Sequence, residues 1–326
     1  MDSQQLDQFP EISIIMPTYN NARYIGEAID SVFSQTYDNY ELIIIDNYSI
    51  DEMVEVVTSY QSSKIKLIRF SNNGIIDASR NVGIRASKGK YIAFLDSDDL
   101  WLPEKLTRQV VYMERHLDLD LVYGLAKSIG NPLFEGRLVA QPKGSAFCST
   151  FEGLFISNSI VCMTVMARAS SLKRVGLFNE DPNFVRVEDW DLWLRIAHDY
   201  KIGFIPEVLG FHRVHAQNVS KDETSYLKPL NVIKKYENMS WVSQELVERS
   251  RYSFYFAAAM SYLYLLNREM RSHFLKVFIG SSSYFLRLKA FCGLYFSYLP
   301  KIIQRNLLKL FCSYRKSEMN DRCNFR

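Results

Sequence analysis

Over the first hundred residues, short apolar runs alternate with stretches in which apolar residues recur every three or four positions. The runs fall at 12–16, 42–45 and 91–95, with a further strand candidate at 66–70. Between them, Tyr24, Ile25, Ala28, Ile29, Val32 and Phe33 take helical spacing over 21–36. Met53, Val54, Val57 and Tyr60 do the same over 51–60, and a third helix spans 75–86. Continuous apolar runs read as strands buried on both faces, and the helices between them as crossovers. The pattern therefore predicts βαβ units and a mostly parallel sheet with helices on both faces. Each run stops on polar residues: Pro17-Thr18-Tyr19-Asn20, Asp46-Asn47 and Asp96-Ser97-Asp98-Asp99. In such a sheet these breaks gather at one edge, where open α/β sheets bind ligands.

Residues 120–220 are less regular. Gly, Pro and Ser through 124–160 suggest loops over a site, 161–167 reads as another buried strand, and 188–200 as a helix. Strand signals end near 222. The remainder of the chain is rich in Tyr, Phe, Leu and basic residues at helical spacing and predicts two to four helices. The expected organisation is a disordered lead over 1–11, an α/β domain over 12–220 and a helical basic segment over 221–326.

Charge sharpens this division. The net charge is +3, but residues 267–316 carry ten Lys/Arg and one Glu, a local +9 on a body of −6. A basic C-terminal segment points to an anionic surface as partner. The five cysteines, an odd number without a CxxC pair, argue against a disulfide framework or zinc site and fit a reducing compartment. No apolar stretch near the N-terminus reads as a signal peptide. The longest charge-free apolar-rich stretch, 252–267, is shorter than the roughly 18–20 residues of a spanning helix.

The acidic break at 96–99 has two readings. Carboxylates two apart can share a hard divalent cation that also binds phosphate oxygens. Equally, acids here can cap the helix that begins near Pro103. The absence of GxGxxG and GxxxxGK[ST] argues against a dinucleotide enzyme and a P-loop NTPase. The thiols have no base motif nearby, which disfavours a cysteine nucleophile.

Four segments carry a resemblance: Ile14-Ile15-Met16-Pro17-Thr18-Tyr19-Asn20; Ile44-Ile45-Asp46-Asn47-Tyr48-Ser49-Ile50-Asp51; Ala78-Ser79-Arg80-Asn81-Val82-Gly83-Ile84; and Phe94-Leu95-Asp96-Ser97-Asp98-Asp99. In this order and spacing they resemble the motifs of the family 2 glycosyltransferases, which have the GT-A fold. The resemblance runs from about 12 to 220. It implies that Pro17, Thr18 and Tyr19 line a base pocket and that Asp46 and Asn47 hold base and ribose. Asn47 departs from the usual Asp-Asp pair, though an amide both donates and accepts. Turn chemistry alone also accounts for these residues. Arg80 is assigned to the nucleotide or its phosphates, against a solvated helix face beside Arg85 and Lys88.

By the same resemblance Asp96 and Asp98 form the DXD motif. Asp98 binds Mn²⁺ or Mg²⁺, and Asp96 the ribose, or the metal through water. Asp99 is left as a supporting or helix-capping residue. Glu188-Asp189 resembles the family's ED motif and makes Asp189 the base for the acceptor hydroxyl, with Glu188 as its substitute. The alternative is that acids favour a helix's first turn, with Asp191 and Arg195 an i, i+4 pair. Phe211-His212-Arg213-Val214-His215 and Asn218-Val219-Ser220 resemble the domain's closing segment. His215 is the candidate for completing the metal shell, against a loop histidine over the product phosphates.

In the tail, Leu299, Ile303, Leu307, Leu310 and Phe311 fall on one helical side and Lys301, Arg305 and Lys309 on the other. This suits an anionic membrane interface through 290–316, or a helix packed on its own core. No nucleic-acid motif accompanies the charge.

The expectation is a metal-dependent inverting glycosyltransferase. It moves a sugar from a nucleotide-sugar, a UDP-sugar by preference, to a hydroxyl of a glycan or lipid-linked glycan in surface polysaccharide synthesis. It acts in the cytoplasm, peripheral to the inner membrane's cytoplasmic face. The rival is a non-catalytic GT-A scaffold that binds a nucleotide-sugar. A nucleotidyltransferase is disfavoured because Pro17-Thr18-Tyr19-Asn20 stands where a Gly-rich loop would.

Overall fold

The computed structural model describes residues 9–132, 134–140, 149–215, 227–264, 270–298 and 304. The chain divides into two compact units, Met1–Ser220 and Lys221–Arg326.

In the first unit the alternating pattern produces β1 (Ile12–Thr18), α1 (Ala22–Phe33), β2 (Tyr40–Asp46), α2 (Met53–Ser59), β3 (Ile65–Arg69), α3 (Ile76–Ala86) and β4 (Tyr91–Phe94). β3, β2, β1 and β4 lie side by side and parallel. Every residue of β1 is buried, as expected for a strand covered on both faces. Ile25, Ala28, Ile29 and Val32 of α1 pack with Ile12, Ile14, Leu42 and Ile44 in one core.

Beyond β4 the order becomes mixed. The chain adds β5 (Leu100–Trp101), α4 (Lys105–Arg115), β6 (Leu121–Ile129), β7 (Leu138–Val139), α5 (Phe151–Ile156), β8 (Met166–Arg168), α6 (Ala169–Val175), α7 (Glu188–Asp199) and β9 (Ile202–Arg213). The sheet continues β4-β8-β6-β9-β5, with β7 beside β6. β8 runs antiparallel to both β4 and β6, β6 and β9 are parallel, and β5 and β9 antiparallel. The strand expected over 161–167 is instead a 3-10 turn at Cys162–Thr164 followed by β8.

β6 and β9 are the strands that the sequence pattern concealed. Each carries residues that ordinarily interrupt strands: Gly124 in β6, and Gly203, Pro206 and Gly210 in β9. The register shifts opposite Tyr123–Ala126, so Pro206 falls at an irregularity where no ladder hydrogen bond is required of it. Gly124 has no room for a side chain, because a Cβ there would lie 2.5 Å from Leu209 Cδ1.

The second unit holds α8 (Pro229–Tyr236), α9 (Gln244–Tyr264), α10 (Met270–Gly280) and α11 (Tyr284–Ser297). Ala258, Ala259, Phe274, Val277 and Ala290 form its core. No helix among the described residues is long and apolar enough to cross a membrane. Cys162 and Cys292 are free thiols. The lead over 1–8, Asn218-Val219-Ser220 and most of the amphipathic stretch 299–311 lie outside the described residues.

Gly83 decides how closely α3 approaches the sheet. A Cβ on it would stand 2.5 Å from Ile15 Cγ2 and 2.8 Å from Ile45 Cδ1, both fully buried. Gly83→Val is therefore expected to lower unfolding stability by about 1–3 kcal/mol, the usual cost of overpacking, measured by urea denaturation. A variant as stable as the parent would show that α3 can lift off the sheet without cost.

Candidate active site

The site forms where β1, β2 and β4 end. The turns after β1 and β2 are tied together: Asn47 N–H donates to Thr18 O at 3.0 Å, Asn20 N–H to Ser49 Oγ at 2.9 Å, and Ile50 N–H to Asn20 Oδ1 at 2.9 Å. Asn20 and Tyr48 occupy the left-handed region, with φ of 47° and 56°. Asn tolerates that conformation well, and Tyr much less so. A fourth tie, Asn21 Nδ2 to Ser97 Oγ at 2.7 Å, reaches the acidic loop after β4.

The residues expected to hold a nucleotide divide by exposure. Pro17 and Thr18 are buried within β1, and Thr18 Oγ1 has no hydrogen-bond partner. Tyr19 is exposed. Asp46 is fully buried; it accepts Ser49 N–H at 2.8 Å and Arg69 Nε–H at 3.2 Å. Arg69 in turn lies over the exposed Tyr48 ring, 4.9 Å from its centroid. Asp46 thus shapes the turn that presents Tyr48 and positions Arg69. Asn47 Oδ1 accepts Asn72 N–H at 3.0 Å. That bond ties the turn after β2 to the segment between β3 and α3.

Arg80 is not on a solvated helix face. It is 4% exposed and makes three ion pairs. NH1 meets Asp77 Oδ1 at 2.9 Å and Glu188 Oε1 at 3.2 Å, and NH2 meets Asp96 Oδ1 at 2.8 Å. Burial opposes its charge, but the surrounding carboxylates hold it ionised. Phe178 lies under the guanidinium at 5.6 Å and packs edge-on against Phe94 and Trp193, giving the arginine an apolar floor. Asn81, the next residue, donates to Phe178 O at 2.9 Å and accepts Phe178 N–H at 3.0 Å.

Four carboxylates surround this one cation: Asp77, Asp96, Glu188 and Asp189. Asp77 is fully buried with Oδ2 unpaired; burial, then Glu188, pushes it well above the usual carboxylate range. Burial and the neighbouring Glu188 likewise push Asp189 up to about 7, against the pull of Arg80. Asp189 Oδ1 accepts Trp190 N–H at 2.6 Å and faces Asn158 Nδ2 at 3.5 Å. Asp191 is fully buried and pairs with Arg195 at 3.1 Å, a structural i, i+4 contact apart from this cluster.

On its other side the acidic loop meets the end of β9. Asp98 Oδ2 lies 2.9 Å from His215 Nε2. Arg213 donates through Nε to Asp98 O at 2.8 Å and through NH2 to Glu27 Oε2 at 2.7 Å. Tyr24 stacks near both, 4.7 Å from the Arg213 guanidinium and 4.9 Å from the His215 ring. Asp99 does not cap α4, whose N-cap is Glu104 without a side-chain bond. It is buried, accepts Arg213 N–H at 2.8 Å and pairs with His212 at 3.1 Å. Burial raises Asp99 to about 6. Burial works against the His212 charge, yet the Asp99 carboxylate lifts His212 to about 9. The two are an ion pair between those values.

Among the described residues no three His, Cys, Asp or Glu side chains form a metal cluster. Asp98 and His215 nonetheless juxtapose one carboxylate oxygen and one imidazole nitrogen. That donor pair fits a divalent cation which takes its remaining ligands from phosphate and water.

Residues 13–173 match the family model described as Glycosyl transferase family 2. Over 221 residues the chain is 33% identical to the UDP-Glc:alpha-D-GlcNAc-diphosphoundecaprenol beta-1,3-glucosyltransferase WfgD of Escherichia coli, covering 67% of this chain and 82% of WfgD. This chain belongs to glycosyl transferase family 2. As a glycosyltransferase it shares its fold with S. aureus TarS 1-349 in complex with UDP-GlcNAc (TM-score 0.60, 17% identity, 88% of this chain and 90% of that one). It also resembles the mannosyltransferase PcManGT from Pyrobaculum calidifontis, in complex with GDP-Man and Mn2+ (TM-score 0.59, 16% identity, 94% and 87%). The α/β unit is thus a GT-A fold.

Sequence reading of the glycosyltransferase missed Asp77, Arg213 and Tyr24. Asp77 had one signal available: it sits three residues before Arg80 on the same helix, a spacing at which opposite charges meet. Nothing in the sequence linked Tyr24 or Arg213 to the acidic loop.

Arg80→Ala strands two buried carboxylates. It is expected to lower stability by about 3–5 kcal/mol, the range for breaking a buried ion pair from one side. Adding Glu188→Gln should recover part of the loss in urea denaturation, because the buried acid facing the lost cation is gone. No recovery would show that Arg80 stabilises the fold through packing and not through this pairing.

Proposed function

We propose that this glycosyltransferase is metal-dependent and inverting. It uses a UDP-sugar and glycosylates a hydroxyl of a lipid-linked glycan in surface polysaccharide synthesis. Its catalytic domain spans 12–220, and its helical segment 221–326 keeps it peripheral to the cytoplasmic face of the inner membrane. The observation that carries the reading is the 2.9 Å approach of His215 to Asp98, two ligand types brought together across 117 residues of sequence at the edge where the strands end. The likeness to WfgD, whose name gives a UDP-Glc donor and a diphosphoundecaprenol-linked acceptor, supports the choice of donor and acceptor.

Asp98 and His215 would hold Mn²⁺ or Mg²⁺. When bound, the ion supplies positive charge against the diphosphate leaving group. Tyr19 offers its exposed ring to the base, and Pro17 and Thr18 form the wall behind it. Asp46 acts through the Ser49 turn and Arg69, and Asn47 through its NH₂. Asp96, fixed by Arg80, accepts from the ribose. Arg80 holds Asp96 and Glu188 in place without itself reaching solvent.

Asp189 takes the proton of the acceptor hydroxyl. The oxygen forms its bond to the sugar C1 as the bond from C1 to the diphosphate oxygen breaks, and the electron pair leaves with the UDP. Because attack and departure are on opposite faces, the anomeric configuration inverts. A base with a pKa near 7 is well matched to this work, being about half ionised at neutral pH while still basic. Glu188 stays bound to Arg80 and holds Asp189's proton affinity up.

Asp98→Ala is expected to abolish Mn²⁺-dependent donor hydrolysis while metal-free UDP binding, followed by thermal shift, persists. Unchanged turnover would sink the metal assignment. For the base, kcat/KM should fall tenfold per pH unit below about 7. Asp189→Asn should lower kcat by about 10²–10⁴ with the acid limb lost. An acid limb that persists in the variant would assign the proton transfer to another group.

A further inference from the structure

α11 is apolar on two sides. Its inner side packs Ala290, with Leu286 and Leu294, against Ala258, Ala259, Phe274 and Val277. Its outer side presents Tyr284 at 81% exposure, Leu288 at 48%, Phe291 at 52% and Tyr295 at 69%, continued by Tyr298 at 69%. Steps of four, three, four and three residues keep these side chains in one line along the helix. On α10, Leu275 and Ile279 are exposed as well, one turn apart, and with Tyr252 and Tyr255 of α9 they line an open cleft of about 520 Å³. A soluble helix ordinarily turns a polar face outward, whereas this one presents an apolar stripe there as well.

The charges beside the stripe have one sign. Residues 270–298 contain Arg271, Lys276, Arg287 and Lys289 and no Asp or Glu. Arg287 and Lys289 are exposed on α11 itself. A second copy docking by a two-fold contact would set the same surface against itself and bring four cations to face four with no acid between them. An anionic bilayer has the complementary charge. Tyrosine rings with an apolar body and a polar tip also suit the water–lipid boundary.

We infer that α11 lies along the surface of an anionic membrane. Tyr284, Leu288, Phe291, Tyr295 and Tyr298 enter the headgroup–acyl boundary, and Arg287 and Lys289 meet lipid phosphates. This deepens the proposed use of a lipid-linked acceptor by placing the membrane contact on the 284–298 face. The contact is read by binding alone, so its failure leaves the donor chemistry standing.

The full chain is mixed with vesicles of phosphatidylglycerol and phosphatidylcholine, or of phosphatidylcholine alone, and sedimented. Binding is expected to the anionic vesicles and to fall steeply with added salt. Arg287→Glu with Lys289→Glu should weaken it at least tenfold, and Phe291→Ser with Tyr295→Ser by a similar factor. Donor hydrolysis in solution should be unchanged in both variants. Equal binding to neutral vesicles, or anionic binding that neither variant reduces, would overturn the inference. So would a dimer in light scattering that dissociates in Phe291→Ser with Tyr295→Ser, because a second copy would then cover the stripe.

Discussion

One buried guanidinium joins three parts of the catalytic unit. Arg80 extends from α3 to the end of β4 through Asp96 and to the first turn of α7 through Glu188. An ion in such a place is tolerated only with full pairing, because water is not there to solvate it. The relative placement of helix, acidic loop and second helix is therefore fixed by charge as much as by packing. The same balance sets the proton affinity of Asp189, which feels Glu188 in one direction and Arg80 in the other.

The acidic loop is clamped from its far side by the end of β9. Leu100 and Trp101 pair with Phe211 and Gly210, so the residues just before β5 and the residues just after that pairing in β9 are brought face to face. Asp98 and Asp99 come from one, and His212, Arg213 and His215 from the other. Arg80 thus approaches the loop from α3, and Arg213 and the two histidines approach it from the end of β9. Among its aspartates, Asp96 faces the arginine, while Asp98 and Asp99 face the histidines.

The parallel half of the sheet was legible because its strands are buried on both faces and show it as unbroken apolar runs. β6 and β9 were not, since their glycines and Pro206 look like loop residues until Leu209 and the register shift account for them. In the site, the types and order of the acidic residues were readable, but their division of labour was not. Asp99 reads in sequence as a supporting or helix-capping residue; in the structure it supports His212 and the Arg213 amide and does not cap α4. Arg80 is assigned by the resemblance to the nucleotide or its phosphates, with a solvated helix face as the alternative; that alternative fails, because the side chain is almost wholly enclosed. In both cases a charge's environment depends on elements far away in sequence, here 114 residues for Asp99 and 108 for Arg80.

The partners of Arg80 become available at very different distances along the chain. Asp77 is three residues away, Asp96 sixteen and Glu188 one hundred and eight. The first can form within a single helix, the second needs β4 laid beside β1, and the third waits for most of the domain. Contacts of long sequence separation close late, since the loop entropy must be overcome first. Asp77 is therefore the one partner that the arginine can meet within α3 alone, before the strands and α7 are in place. Once α7 has docked, that early companion becomes the surplus acid of the cluster, the one left with an unpaired oxygen and a raised hold on its proton.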